Sequence, residues 1–300
     1  MGTDVWTGGV LDAEVLPSAV AWPATERAAH NTEVTRLVTR DTPWPDGTPC
    51  WVDLGTHDIA RAISFYSSQF GWEVQQGGPE VGGYSMAQLD GRNVAGIGPI
   101  MGPPGTPSAW SAYFASRDVD ATAARVKSAG GQLLMEPMDV MDAGRMLVAV
   151  DITGATFGVW QAGNHKGAQV ANVPGAFTWC EHMSNDFEGA KAFYAAVFGY
   201  EYGDMSSDGF SYDTLLINGQ QVVGGIGGYP GGSENSHQAF WGVYFGTTDT
   251  DKAVDQVTSH GGQVVRPAAD SPYGRMAIVA DDQGAVFSLI STPTDSLDDD

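Results

Sequence analysis

One stretch of this chain, Gly47 to Trp72, returns further along in altered but readable form, and that echo constrains the fold more than any other feature. Trp51 answers to Trp179, Asp53 to Glu181, Asp58 to Asp186 and Phe65-Tyr66 to Phe193-Tyr194, all 128 residues apart. Phe70-Gly71-Trp72-Glu73 likewise answers to Phe198-Gly199-Tyr200-Glu201. The match runs on with small drifts of offset: Tyr113-Phe114 pairs with Tyr244-Phe245, and Gly130-Gly131-Gln132 with Gly261-Gly262-Gln263. Gly144-Arg145-Met146 then pairs with Gly274-Arg275-Met276, and Asp151 with Asp281. A self-match of this length means one unit was duplicated whole. With 300 residues, 42% of them hydrophobic, the chain is long enough for two cores of about 120 residues each.

Each copy reads as strand and helix followed by short strands, twice over. From Pro49 the alternation is strand-like, with Trp51, Asp53, Gly55 and His57 on one face. Asp58 is placed to cap a helix whose apolar stripe is Ile59, Ala62, Ile63, Tyr66 and Phe70, and Gly71 ends it. Strands are expected at 73–77, 84–89 and 93–98. The second unit opens with a strand through Tyr113 and a helix capped by Asp118, and closes with strands at 132–136, 145–150 and 156–161. The glycine-rich pieces Gly96-Ile-Gly98 and Gly224 to Gly228 follow strands without opening a helix, so they are read as turns or bulges rather than phosphate loops.

The expected organisation is an extension over 1–46, a first domain over 47–161, a linker over 162–174, a second domain over 175–292 and an acidic tail over 293–300. The extension reads as a surface arm or unstructured leader, with a weak helix from Thr25 to Val38. Its tryptophans Trp6, Trp22 and Trp44 allow the alternative of a strap across the other copy or a neighbouring subunit.

A formal charge of −22 repels phosphate backbones and anionic lipid surfaces, so nucleic acid and membrane partners are set aside. With no basic, apolar start and no long apolar run, a soluble cytoplasmic protein is expected. Cys50 and Cys180 are not equivalent positions of the repeat and are read as core thiols.

Paired βαβββ units, an Asp-capped first helix carrying Phe-Tyr and then Phe-Gly-Trp or Phe-Gly-Tyr, and a closing Asp-x-x-Gly-Ala-x-Phe resemble the vicinal oxygen chelate superfamily. That group includes glyoxalase I, extradiol dioxygenases, fosfomycin-resistance enzymes and bleomycin-binding proteins. The likeness is closest to the two-domain bacterial glyoxalase-like or hydroxylase-like subfamily. It implies an α+β fold of tandem glyoxalase-like domains, each a curved, partly open, barrel-like sheet built from two βαβββ units. It also implies domains that pair within one chain or between two in a homodimer.

The resemblance further implies His or Glu metal ligands on the first strand of each unit and on the last strand of the copy. Those positions read Trp51, Ser111 and Gly158 in copy one, and Trp179, Gly242 and Ser288 in copy two. Such side chains make poor ligands. His30, His165 and His237 fall in the extension, the linker and a loop, His260 ends a helix, and His57 and His182 are not repeat equivalents; all are read as surface or structural. Neither a metal nor another cofactor is therefore expected.

The former ligand face becomes an aromatic-walled pocket in each copy. Copy one offers Trp51, Asp53, Ser111, Tyr113, Thr156 and Trp160; copy two offers Trp179, Glu181, Met183, Tyr244, Ser288 and Ile290. A carboxylate inside such a wall loses hydration and becomes a proton carrier near neutral pH. The structural alternative holds Asp53 and Glu181 on backbone or arginine partners such as Arg145 and Arg275. The expected activity is metal-independent acid/base chemistry (isomerisation, elimination, ring opening or cyclisation) on a small hydrophobic, aromatic or polyketide-like metabolite. Asp53 or Glu181 would carry the proton, and Tyr113 or Tyr244 would orient an oxygen. The rival class is a protein that sequesters such a molecule, and a metal-dependent dioxygenase or glyoxalase ranks third.

Overall fold

The computed structural model describes residues 38–207, 209–232, 237–271 and 273–291. A short strand β1 (Val38–Thr39) precedes the first copy, which consists of β2 (Pro49–Thr56), α1 (Ile59–Phe70), β3 (Glu73–Gln75), β4 (Ser85–Leu89), β5 (Arg92–Pro99), β6 (Ala109–Ala115), α2 (Val119–Ser128), β7 (Gln132–Val140), β8 (Gly144–Val150) and β9 (Thr156–Ala162). After β10 (Val170–Ala171) comes the second copy: β11 (Phe177–Ser184), α3 (Phe187–Phe198), β12 (Glu201–Asp204), β13 (Tyr212–Ile217), β14 (Gln220–Gly228), β15 (Phe240–Gly246), α4 (Thr250–Ser259), β16 (Gln263–Ser271), β17 (Gly274–Ala280) and β18 (Val286–Ser291).

Each copy forms one curved, open sheet of eight strands, in the order β3-β4-β5-β2-β6-β9-β8-β7 and its equivalent β12-β13-β14-β11-β15-β18-β17-β16. The two βαβββ units of a copy join where their first strands run antiparallel, β2 on β6 and β11 on β15. All four helices are capped as the sequence implies. The carboxylates of Asp58, Asp118, Asp186 and Asp249 accept from the backbone N–H three residues on, each contact being worth about 1 kcal/mol. Gly71 and Gly199 end α1 and α3 in the left-handed conformation, at φ 72° and 77°.

The expectation of two separate cores is corrected. A single apolar cluster runs from Trp44 to Leu289 through both copies. The helix-bearing faces of the two sheets meet, and the aromatic rings that follow each first helix pack across the seam. Phe70 lies 4.9 Å from Phe245, and Phe114 lies 4.7 Å from Trp241, between ring centroids. Tyr66, Tyr194, Phe157 and Phe287 are fully buried in the same layer.

The glycine-rich pieces are strand interiors rather than turns. Gly96 and Gly98 lie within β5 and Gly224 to Gly228 within β14. Their lack of a side chain makes room for a ring: a Cβ on Gly96 would sit 1.8 Å from the Tyr84 hydroxyl, and one on Gly225 would sit 2.2 Å from that of Tyr212.

Residues 38–46 are a strap rather than a loose arm. β1 pairs with β10, and buried Trp44 donates from Nε1 to the Ala168 carbonyl at 2.9 Å. Trp6, Trp22 and nearly all of the proposed helix lie outside the described residues, as does the acidic tail. In the 162–174 segment that joins the copies, Ala168, Val170 and Ala171 are buried. Cys50 and Cys180 are buried free thiols, and burial raises both thiol pKa values. Among the described residues no helix is long and apolar enough to cross a membrane.

Candidate functional site

The face of each sheet turned away from the helices carries the residues singled out in the sequence. Strand pairing fixes their neighbours, because residues directly opposite share a face. In copy one, Trp51 stands opposite Tyr113, Tyr113 beside Gly158, and Asp53 between Gly96 and Ser111. In copy two, Trp179 stands opposite Tyr244, Tyr244 beside Ser288, and Glu181 between Gly225 and Gly242. Thr156 and Trp160 flank Gly158 along β9, as Ile290 follows Ser288 on β18. The two sets lie on separate sheets, as two candidate clefts.

A second tyrosine completes each cleft. Tyr84 receives a hydrogen bond from Trp51 Nε1 at 2.9 Å, and its hydroxyl lies 3.5 Å from Asp53 Oδ2. Tyr113 also hydrogen-bonds Asp53. Copy two repeats the pattern, with Trp179 Nε1 donating to the Tyr212 hydroxyl at 2.9 Å and Tyr244 donating to Glu181 Oε2 at 2.8 Å. Tyr212 hydrogen-bonds Glu181 as well. Neither Tyr84 nor Tyr212 was singled out from sequence. The signal was present, since they stand 128 residues apart in the same register as Trp51 and Trp179. Only the fold shows why glycines in β5 and β14 must accompany them.

The electrostatics of the two carboxylates share a direction. Burial pushes the Asp53 carboxyl up to about 7, against the lowering pull of the Tyr113 and Tyr84 hydroxyls. Burial raises Glu181 as well, opposed by Tyr244, Tyr212 and the nearby Arg266 guanidinium. All four phenols are pushed far above their ordinary range by burial and by the adjoining carboxylates, so they remain hydrogen-bond donors. The arginines named as structural partners are engaged elsewhere. Arg145 pairs with Asp120 and Asp139, and Arg275 with Asp251 and Asp270.

Of the two roles read for His165, surface or structural, its packing is that of the second. Its ring stands edge-on to Trp51, with centroids 4.3 Å apart, and its carbonyl accepts from Trp160 Nε1 at 3.0 Å. Burial pulls its pKa down to about 4, and its Nε2 is buried without a hydrogen-bond partner. His182 faces the seam, where Nε2 lies 2.9 Å from Asp151 Oδ2.

A divalent ion on either face would need two or three imidazole or carboxylate donors converging from the central strands. Each face supplies one carboxylate, already bonded to two phenols, beside tryptophan, serine and glycine, and the first adds only the His165 imidazole against Trp51. Among the described residues no three His, Cys, Asp or Glu side chains gather as a ligand set. The donors present do not fit such an ion.

The profile of the glyoxalase/bleomycin resistance protein/dioxygenase superfamily matches residues 50–159 and again 176–289. CFP32 of Mycobacterium tuberculosis is 41% identical over 249 residues, covering 81% of this chain and 94% of that protein. The anthracycline biosynthesis protein DauV of Streptomyces sp. strain C5 is 36% identical over 258 residues, covering 81% and 93%. In shape the chain is similar to the Mn(II)-bound glyoxalase from Novosphingobium aromaticivorans, at a TM-score of 0.58, 18% identity and 82% coverage of each chain.

Proposed function

The chain belongs to the glyoxalase/bleomycin resistance protein/dioxygenase superfamily, and from that premise we propose that it is an enzyme of secondary metabolism performing metal-independent acid/base chemistry on an aromatic, polyketide-like molecule. The observation that carries this reading is the arrangement around Asp53: a carboxyl poised near pH 7, held by two phenols and walled by tryptophan. A group with that pKa both accepts and returns a proton at neutral pH, which an isomerisation, elimination or cyclisation requires.

In the proposed cycle, ionised Asp53 removes a proton from carbon or oxygen of the bound molecule. The Tyr113 and Tyr84 hydroxyls then turn toward the oxygen on which charge develops, and Asp53 delivers the proton to its new position. Trp51 fixes Tyr84 by donating to its oxygen, which leaves the phenol's own proton for the carboxylate or for substrate. Trp51 and Trp160, buried around His165, form the apolar wall behind the ring system, and Ser111 and Thr156 border it. Glu181 with Tyr244, Trp179, Met183 and Ser288 is the equivalent arrangement in copy two. The likeness to a protein named for anthracycline biosynthesis supports a polycyclic aromatic polyketide as the substrate class.

The test measures turnover and binding separately for Asp53→Asn and Glu181→Gln, with hydroxylated aromatic polyketides as substrates. The expected result is a loss of about 10²–10⁴-fold in turnover from one substitution, with binding retained. Full activity in both variants would remove the carboxylate mechanism. Binding by the wild-type protein with no turnover of any candidate would leave a sequestering protein.

A further inference from the structure

We infer that the cleft of the first copy alone receives a ligand, that its occupant is an uncharged, planar, hydroxylated polycyclic aromatic held against methionines, and that the second cleft is closed by its own side chains. The substrate class rests on the proposed function; the choice of cleft rests on strand register.

At one end of the second cleft, Met183, Phe210, Tyr212 and Tyr229 form a buried cluster apart from the main core, with Met205 and Phe240 against it. Phe210 stacks on Tyr212 with centroids 5.6 Å apart and planes inclined by 19°. The Met183 sulfur lies across β14, where a Cβ on Gly227 would stand 2.4 Å from it. The end of the face beyond Glu181 is thereby filled from within.

The same positions of copy one carry small residues. Gly55 pairs with Gly98 and Ala109 as Met183 pairs with Gly227 and Phe240. Two residues past Gly98 comes Ile100, where Tyr229 follows Gly227, and Gly82 precedes Tyr84 as Phe210 precedes Tyr212. A Cβ on Gly55 would meet nothing closer than 3.7 Å. The nearest side chain to that point is that of Ile100, with Cγ1 at 3.7 Å, where copy two has Met183 and Phe240.

The other flank differs in the opposite sense. Met86 pairs with Gly96 where Thr214 pairs with Gly225, and Met135 pairs with Val148 where Arg266 pairs with Ile278. Met138 pairs with Met146 where Ala269 pairs with Met276. Copy one thus presents Met86, Met135, Met138 and Met146 on the cleft face, with Met138 45% exposed. Thioethers are polarizable and adjust to the edges and faces of flat rings. Arg266 in copy two instead lies near Glu181 and Tyr244, where a guanidinium tethers rather than yields.

The polar groups define the occupant further. They are concentrated at Asp53, Tyr84 and Tyr113, with the orphaned Nε2 of His165 beside Trp51. Such a wall matches hydroxyl and carbonyl groups grouped on one part of a flat molecule. A carboxylate in the floor and a chain of net charge −22 disfavour an anion.

Titration with 1,4-dihydroxyanthraquinone, which is uncharged at neutral pH, followed by calorimetry and by quenching of tryptophan fluorescence, tests this. One molecule should bind per chain. Gly55→Met with Ala109→Phe rebuilds the closure of copy two in copy one and should weaken binding by about tenfold or more. Met135→Arg, at a half-buried position, should weaken it by about three- to tenfold, and Phe240→Ala should leave it unchanged. Two molecules per chain, or wild-type affinity in both copy-one variants, overturns the inference and leaves the proposed chemistry standing. No binding of 1,4-dihydroxyanthraquinone by the wild-type protein removes the polycyclic substrate class, and this inference with it.

Discussion

The two copies agree where they touch each other and diverge where they face outward. At the seam, Trp110 donates to the Tyr66 hydroxyl at 2.9 Å, and Tyr66 donates to Asp281 at 3.0 Å. The mirror set has Trp241 donating to Tyr194 at 2.6 Å and Tyr194 to Asp151 at 2.8 Å. Each carboxylate belongs to one copy and each tyrosine to the other. In the clefts the tryptophan, the two tyrosines and an acid (Asp53 or Glu181) are repeated, while surrounding positions change from Gly55 to Met183 and from Met135 to Arg266. A packed seam constrains both partners at once; an outward face answers only to what binds it. Divergence is therefore concentrated on the outward faces, around a repeated centre of Trp, Tyr and acid.

Cutting the chain is the harshest test of that division. A half ending near residue 174 would expose Phe70, Trp72, Trp110 and Phe114, rings that are buried against the other copy. Neither half expressed alone should show a cooperative unfolding transition, and the two mixed together should recover one. A half that unfolds cooperatively by itself would mean that the seam is an accessory contact and that the cores are independent.

A break in the symmetry of the seam gives the next largest effect. His182 stands where copy one has Leu54. Burial opposes ionisation of Asp151, but donors from His182, Thr153 and Tyr194 outweigh it and hold the carboxyl below its ordinary range. Asp281 lacks the imidazole, and burial raises it despite the N–H groups of Ala285 and Gln283 and the Tyr66 hydroxyl. The signs follow. Asp151 contributes stability that is present above its unfolded pKa and lost as pH falls through its folded one, whereas the contribution of Asp281 is present at low pH and lost as pH rises. His182→Leu should cost about 2–3 kcal/mol at pH 7, less than the usual penalty for breaking a buried pair because Asp281 survives without one. The loss should shrink by pH 4. An equal loss at both, measured by urea unfolding, would show that packing around the imidazole matters and its bond to Asp151 does not.

Much of this was legible before the fold was known, and for a physical reason. The repeat fixed the register, and register places Trp51, Asp53, Ser111 and Tyr113 on one face whatever the loops do. Helix caps were equally plain, because Asp58 and Asp118 act on backbone three residues away. What stayed hidden depends on distant contacts. His165 looks like a linker residue until Trp51 and Trp160 enclose it. The glycines of β5 and β14 look like turn formers until Tyr84 and Tyr212 lie over them. The single core was invisible because hydrophobic periodicity tells a residue to be buried and not which copy will bury it.

The smallest effect separates fold from function at one residue. Asp53 has a folded pKa near 7 against an ordinary value of 3.8. Folding therefore binds a proton between those two pH values, and stability falls as pH rises through the window, with the full penalty in place above about 7. A rise of that size corresponds to roughly 4 kcal/mol at most; partial exposure to solvent reduces this to about 1–2 kcal/mol. Asn at this position cannot ionise, so Asp53→Asn should be more stable than wild type by about that amount at pH 8 and equal to it at pH 4. Thermal unfolding at the two pH values decides the matter. A variant that gains stability while losing turnover would show a carboxylate kept at the expense of the fold, as a proton carrier is. A variant less stable at pH 8 would show instead that Tyr84 and Tyr113 need the charge to hold the sheet, and Asp53 would then belong with Asp151 among the residues that bind the structure together.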